Sequence, residues 1–281
     1  VSQLDLSKLP VPDVIETIEY ESEFSAVLER YQSLMGDQWD ALLESDPAMK
    51  LLELVAYEKI TLRARINAAA RAVLLASSGG SDLDGVLALL DVARLEGELD
   101  PAFKARGRLA PYGFSTAGPF KAYEYHALSA HSDVRSVWVD RPTPGVVRVT
   151  VLSRVGDGVP AEEVLTAVRA ALNAEDVRPL NDTVLVEPAY VIPWVLSARL
   201  HFASGAAYEP VMLAAQDAAS AYALAQHKIR TPIKQSMLIA ALGLAGVTDV
   251  ELLSPVQDIE AQLQGAPYCT SILLEPVVDY E

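Results

Sequence analysis

The chain has 281 residues, 51% of them hydrophobic, with a net charge of −16 and an isoelectric point near 4.6. That length and composition suit two or three modest domains with buried cores, and so acidic a surface argues against a nucleic-acid partner, because phosphate would be repelled. A single cysteine, Cys269, excludes an internal disulfide or a cysteine-built metal cluster, and the longest apolar runs, such as Leu238 to Val247, fall far short of the roughly 20 residues that cross a bilayer.

The opening VSQLDLSKLPVPD lacks the basic start and apolar core of a signal peptide, so export by that route is not expected. Acidity is concentrated here. Residues 1–46 hold eleven Asp and Glu against Lys8 and Arg30, a local charge of −9. Two readings stay open: a solvated acidic face, or an arm that docks on a basic partner surface. The paired prolines predict an extended lead, and the mixed apolar spacing after them predicts a helix from about Tyr20.

The clearest element is SDPAMKLLELVAYEKITLRARINAAARAVLLASSGG. Ser45 or Asp46 can cap it, Pro47 suits its first turn, and Gly79 with Gly80 ends it, which predicts a helix over about Pro47 to Ala76, roughly 45 Å long at 1.5 Å per residue. Leu51, Val55, Leu62, Ile66, Ala69 and Val73 form a narrow stripe on it, closer to a bundle seam than to a broad globular face, with Arg63, Arg65 and Arg71 beside it. Such a helix outreaches a small domain, and helices of other chains are the expected cover.

A short helix follows in SDLDGVLALLDVARL, capped by Ser81 or Asp82. Asp82 and Asp84 mimic the start of a calcium loop, but the closing glutamate and the alternate oxygen ligands are missing. Next, STAGPFKAYEYHALSA offers Glu124 and His126 as an acid and a base, and Tyr123 and Tyr125 as pocket walls. Residues two apart on a helix do not face each other, so the stretch reads as a structural joint in which Gly118 and Pro119 set a turn and the aromatic side chains pack a helix on a sheet. GFSTAG has one residue too many for a nucleophile elbow, leaving Ser115 or Thr116 as a turn or helix-entry group.

From Asp133 the period changes. VRSVWVDRP and GVVRVTVLSR alternate around the turn PTPG and predict an antiparallel hairpin; PAEEVLTAVRAALNAE is an amphipathic helix, and VRPLNDTVLVEPA returns as a strand. The last third repeats the alternation of element types: the strand VIPWVLSARLHF, two helices over Ala207–Lys228 and Ile233–Gly246, and the strands VTDVELLSP and YCTSILLEPVVD. Among the four histidines, His126 and His131 are five apart, off the four-residue spacing of helical zinc ligands; His201 falls in a strand, and His227 near a helix end, where a positive charge suits the dipole. There is no phosphate-binding glycine loop. The chain therefore reads as α+β, a long-helix N-terminal region followed by two consecutive mixed α/β units, with divisions at 1–98, 99–190 and 191–281 and with no catalytic, cofactor or metal residues assigned.

STAGPFKAYEYHALSA with its V-x-x-V-x-V strand and PGVVRVTVLS resembles the baseplate assembly protein J family of contractile phage tails and R-type pyocins. So do DLSKLPVPDVIETIEYE, LVAYEKITLRARINAAARAVLLASSGGSDLD, VRPLNDTVLVEPA and GVTDVELLSPVQD, in that order over nearly the whole chain. The resemblance implies a structural wedge protein rather than an enzyme, needing no cofactor, in the baseplate of a virion tail or tail-like particle assembled in the bacterial cytoplasm. It implies paired copies that join neighbouring wedges into a ring beneath the sheath. The implied partners are a second copy of the chain, a smaller wedge protein like tail protein I, and a lysozyme-like wedge component linking to the sheath, with no nucleic acid and no membrane. In that family the N-terminal helices join a bundle and the C-terminal parts meet between copies. A departure lies after the long helix, where a basic segment is usual: here Arg94, Lys104, Arg106 and Arg108 are interrupted by Glu96, Glu98 and Asp100, so the charge of the partner surface there is expected to differ. A soluble multi-domain scaffold unrelated to tails, and an enzyme with a pocket of convergent titratable groups, are the competing classes.

Overall fold

The computed structural model describes residues 10, 12–36, 43–115, 118–203 and 207–279. The expectations for the extreme N-terminus and for Thr116 lie outside these residues. The chain divides into two compact units, Val1–Arg94 and Leu95–Glu281, and its class is α+β, with helices first and two helix-and-strand groups after them.

The first unit is built on helix α1 (Tyr20–Met35) and helix α2 (Pro47–Ala72), with the short α3 (Gly80–Ala88) after them. α2 starts where the sequence places it. The Asp46 carboxylate accepts from the Ala48 amide at 2.8 Å, satisfying one of the donors a helix start leaves open, and Pro47 occupies the first turn. It ends at Ala72, four residues before the expected Ala76, and its 26 residues span about 39 Å. The reason is local: the Ser77 hydroxyl donates to Arg71 O at 2.7 Å, and the Ser77 and Ser78 amides turn back to Leu74 O, so the final carbonyls are satisfied by a turn rather than by more helix. α3 likewise begins at Gly80, one residue before Ser81, and neither Ser81 nor Asp82 caps it.

α1 and α2 run antiparallel. Glu16, just before α1, meets Arg63 at 2.6 Å and holds Asn67 through its backbone, while Glu23, one turn into α1, sits between Lys59 and Arg63. The face of α2 turned inward carries Leu52, Ala56, Ile60, Arg63 and Asn67 at spacings of three and four. It is mixed in polarity, and the buried apolar side chains of this unit, among the described residues, are only Ala56, Leu83, Leu87 and Val92.

The second unit opens with α4 (Asp100–Gly107), α5 (Ala110–Gly113) and α6 (Phe120–Ala130). Strands β1 (Val134–Thr143) and β2 (Val146–Ser153) form the predicted antiparallel hairpin, turning at Gly145 with φ of 79°. α7 (Glu162–Leu172) then carries the chain to β3 (Thr183–Pro188), which pairs with β2 in parallel. β2 is thus the central strand of three, and its end from Thr150 to Ser153 is buried throughout, which is why its sequence is nearly continuous in apolar residues. Tyr123 and Ala127 of α6, Val164, Val168 and Leu172 of α7, and the inward valines of the sheet make one core.

Only Ala189 separates β3 from the next strand, β4 (Tyr190–Ala203), which is the centre of a second three-stranded sheet. Trp194, Leu196, Ala198, Leu200 and Phe202 alternate into its core, as the period of two requires. α8 (Glu209–Gln226) and α9 (Gln235–Leu242) cover that face through Ala215, Ala219, Leu238 and Leu242. β5 (Asp249–Ser254) pairs with β4 antiparallel and β6 (Gly265–Asp279) pairs with it in parallel. A small cluster of Leu152, Ala189, Ile229 and Ala266, with Trp138 against it, fills the space between the two sheet groups.

Candidate assembly interface

A helix that packs on one neighbour buries one stripe and exposes the rest. The stripe Leu51, Val55, Leu62, Ile66, Ala69 and Val73 is on the exposed side: the five larger residues are 53–71% accessible, and Ala69 is exposed too. At 100° per residue it lies about 100° around α2 from the inward face. Between Val55 and Leu62 the stripe is broken by Glu58 and Lys59, and Lys59 reaches over to Glu23 of α1 at 2.6 Å. Of the arginines flanking the stripe in sequence, Arg63 is turned inward and holds α1 through Glu16 and Glu23. Val73 lies one residue past the helix, at its C-cap.

Leu54 and Tyr57 extend the exposed apolar surface further round α2; they fall outside the four-and-seven spacing of the stripe, and no periodic signal marked them. Val14, Tyr20, Leu34, Leu43 and Leu89 are exposed as well. A unit with four buried apolar side chains among its described residues and this much exposed aliphatic surface is unusual for a free-standing domain.

The residues that could have carried chemistry are placed differently. The Tyr123 hydroxyl donates to Asp182 Oδ2 at 2.7 Å, and burial, then the Asp182 bond, pushes its phenol well above the ordinary range. Burial raises the Glu124 carboxyl, opposed by Lys121, and lowers the His126 imidazole, opposed by a hydrogen bond with the Gly113 backbone. No hydrogen bond joins Glu124 to His126 among the described residues. The Tyr125 ring lies over Gly113 so closely that a Cβ there would sit 2.5 Å from it. These contacts tie α6 to α5 and to the loop before β3, which is what a joint needs. The Asp84 carboxylate receives Arg94 at 2.7 to 2.8 Å, an ion pair rather than an open oxygen site, and no group of three or more metal-binding side chains is present among the described residues.

The charged joint after α3 also differs from its sequence reading. Arg106 and Glu98 face each other with side chains 5% and 4% exposed, through Nε–Oε1 at 2.9 Å and Nη2–Oε2 at 2.6 Å. These two charges are internal and neutralise each other, so they add nothing to the charge of a partner surface. No helix among the described residues is long and apolar enough to cross a membrane.

A helical hairpin with an uncovered apolar flank, joined in sequence to a unit of two sheets, suits an assembly subunit. Residues 44–101 match the Baseplate J-like N-terminal domain and residues 115–188 the Baseplate J-like central domain. Over 291 aligned positions the chain is 38% identical to Baseplate protein J of Escherichia phage P2, with 95% of each chain covered. The chain belongs to the baseplate J family. The central-domain match ends at the last residue of β3, so the second sheet lies beyond it.

Proposed function

We propose that this chain is a baseplate wedge protein of a contractile tail or tail-like particle, and that the exposed stripe of α2 is a seam closed by helices of other chains. Family membership makes it a structural component of a baseplate. In the finer reading, paired copies join neighbouring wedges into a ring, and the helices of the first unit bundle with a second copy and with a smaller wedge protein resembling tail protein I. A lysozyme-like wedge component links the ring to the sheath, and assembly takes place in the bacterial cytoplasm. The chain works without catalysis or cofactor. For assembly it divides into a helical region 1–98, a middle region 99–190 and a C-terminal region 191–281, the last two having separate sheets and separate hydrophobic clusters.

The observation that carries this reading is the exposure of Leu51, Val55, Leu62 and Ile66 on a helix whose inward face is already satisfied by α1. Covering large aliphatic side chains is worth about 1.5–3 kcal/mol each when burial is complete. The test is the double variant Leu62→Asp/Ile66→Asp. Both sites are exposed in the isolated chain, so its thermal unfolding should stay close to wild type. Two carboxylates in a closed seam would cost several kcal/mol, and co-purification with the other wedge proteins should be lost. Normal co-purification of the variant would remove the stripe from the interface.

A further inference from the structure

His227 is a buried titratable group with no part in the interface above. It follows the last residue of α8 and is 6% exposed. Its Nδ1 lies 2.7 Å from Pro267 O of β6; a carbonyl oxygen only accepts, so Nδ1 carries the proton. Nε2 is then a bare acceptor, buried and without a hydrogen-bond partner among the described residues. It faces Gly158, in the loop after β2, so closely that a Cβ there would lie 2.7 Å from it and 2.6 Å from Leu152 Cδ1. The positive charge that suits the end of α8 comes from elsewhere: Arg135 of β1 donates to His227 O at 2.9 Å and to Leu224 O at 2.5 Å. The other charged and titratable neighbours are Asp157 beside Gly158, Tyr268 of β6 with its ring 5.3 Å away edge-on, Cys269 of β6 lining the same cavity, Arg154 near Arg135, and the exposed Lys228 next in sequence. Arg230 stacks over Trp138 at 4.5 Å on the same boundary.

We propose that His227 is an acid-sensitive pin between the two sheet groups of the second unit. Neutral, it ties the end of α8 to β6 while its other edge lies against Gly158, which also meets Leu152 of the first sheet group. Protonated, it presents a second N–H with no acceptor, beside the Arg135 guanidinium, and that packing loosens. Burial lowers its pKa below the ordinary histidine value of 6.5; the Pro267 bond and Asp157 oppose the shift, and Arg135 adds to it. A buried neutral histidine contributes its full stability above the unfolded-state pKa and loses it as pH falls from there through the folded one. Acid, not base, therefore opens the boundary.

The experiment uses the full chain. Exchange of the imidazole C2 hydrogen, read by mass spectrometry as a function of pH, gives the His227 pKa in the wild-type protein and should place it below 6.5. Amide exchange over residues 224–232 and 265–268 at pH 7.5 and 5.0 should show protection falling by up to about tenfold per pH unit below the unfolded-state pKa. His227→Asn keeps a donor for Pro267 O and does not titrate, so the additional loss at these segments should vanish in it. A wild-type His227 that titrates at 6.5 or above, or an equal loss of protection in the Asn variant, would overturn the proposal. If the variant fails to fold, the wild-type imidazole titration decides alone.

Discussion

Replacing Arg106 by Met should destabilise the second unit far more than a charged-to-apolar change near a chain joint ordinarily does. Arg106 and Glu98 form a two-point pair with both side chains about 95% shielded, and Glu98 Oε2 also accepts from the Leu95 amide at 3.0 Å. The guanidinium lies 5.3 Å from the Phe103 ring. Removing it takes both guanidinium contacts from a buried carboxylate that keeps the Leu95 amide, and breaking a buried pair on one side costs about 3–5 kcal/mol. Loss of the stacking on Phe103 adds roughly 0.5–1 kcal/mol. Glu98→Leu takes the carboxylate away from a buried guanidinium that still donates to Ser129 Oγ at 3.4 Å. The double variant Arg106→Met/Glu98→Leu leaves no orphan charge, so the two losses should be strongly non-additive, with a coupling of about 2–3 kcal/mol. Urea unfolding followed by tryptophan fluorescence is the assay, since Trp138 and Trp194, two of the three tryptophans, lie in the second unit. A loss below about 1 kcal/mol for Arg106→Met, or simple additivity in the double variant, would refute the reasoning.

Tyr123→Phe should cost about 1.5–3 kcal/mol by removing the hydrogen bond to the Asp182 carboxylate, measured by the same urea titration. Because burial and Asp182 raise the Tyr123 phenol above its ordinary value of 10.0, that contribution is complete below pH 10 and is lost as pH rises past it; wild type and variant should converge in strong alkali. Gly118→Ala should lower the melting temperature, since φ there is +64° and a Cβ would stand 2.6 Å from Pro179 Cγ; the cost is about 1–3 kcal/mol.

The elements with a strong period were legible in sequence. Valines at alternate positions around PTPG gave the β1–β2 hairpin, the alternation from Trp194 to Phe202 gave β4, and Asp46 with Pro47 fixed the start of α2. The end of α2 was not, because Gly79 and Gly80 are louder signals than the Ser77 hydroxyl that closes the helix. α4 and α5 were invisible for a similar reason: Pro101, Gly107, Pro111 and Gly113 punctuate them, and their stability comes from tertiary neighbours rather than propensity. Parallel pairing of β6 with β4 across more than sixty residues leaves no local trace.

The stripe of α2 was legible because it is periodic, whereas the face that meets α1 was hidden because Arg63 and Asn67 occupy it. Charges read from sequence default to the surface. Arg106, Glu98 and Glu23 depart from that default because each finds an oppositely charged partner far enough along the chain, or on another helix, to escape pattern reading. His227 was placed correctly at a helix end but given the charge that Arg135 carries.

Whether the stripe is covered in the particle can be measured directly. Hydroxyl-radical labelling of the Leu62 and Ile66 side chains, quantified by mass spectrometry in the isolated chain and in purified assembled baseplates, reads the accessibility of those residues in both states. They are 65% and 57% exposed in the isolated chain and should label readily there. In the baseplate their labelling should fall to near background; equal labelling in both states would contradict a seam on α2.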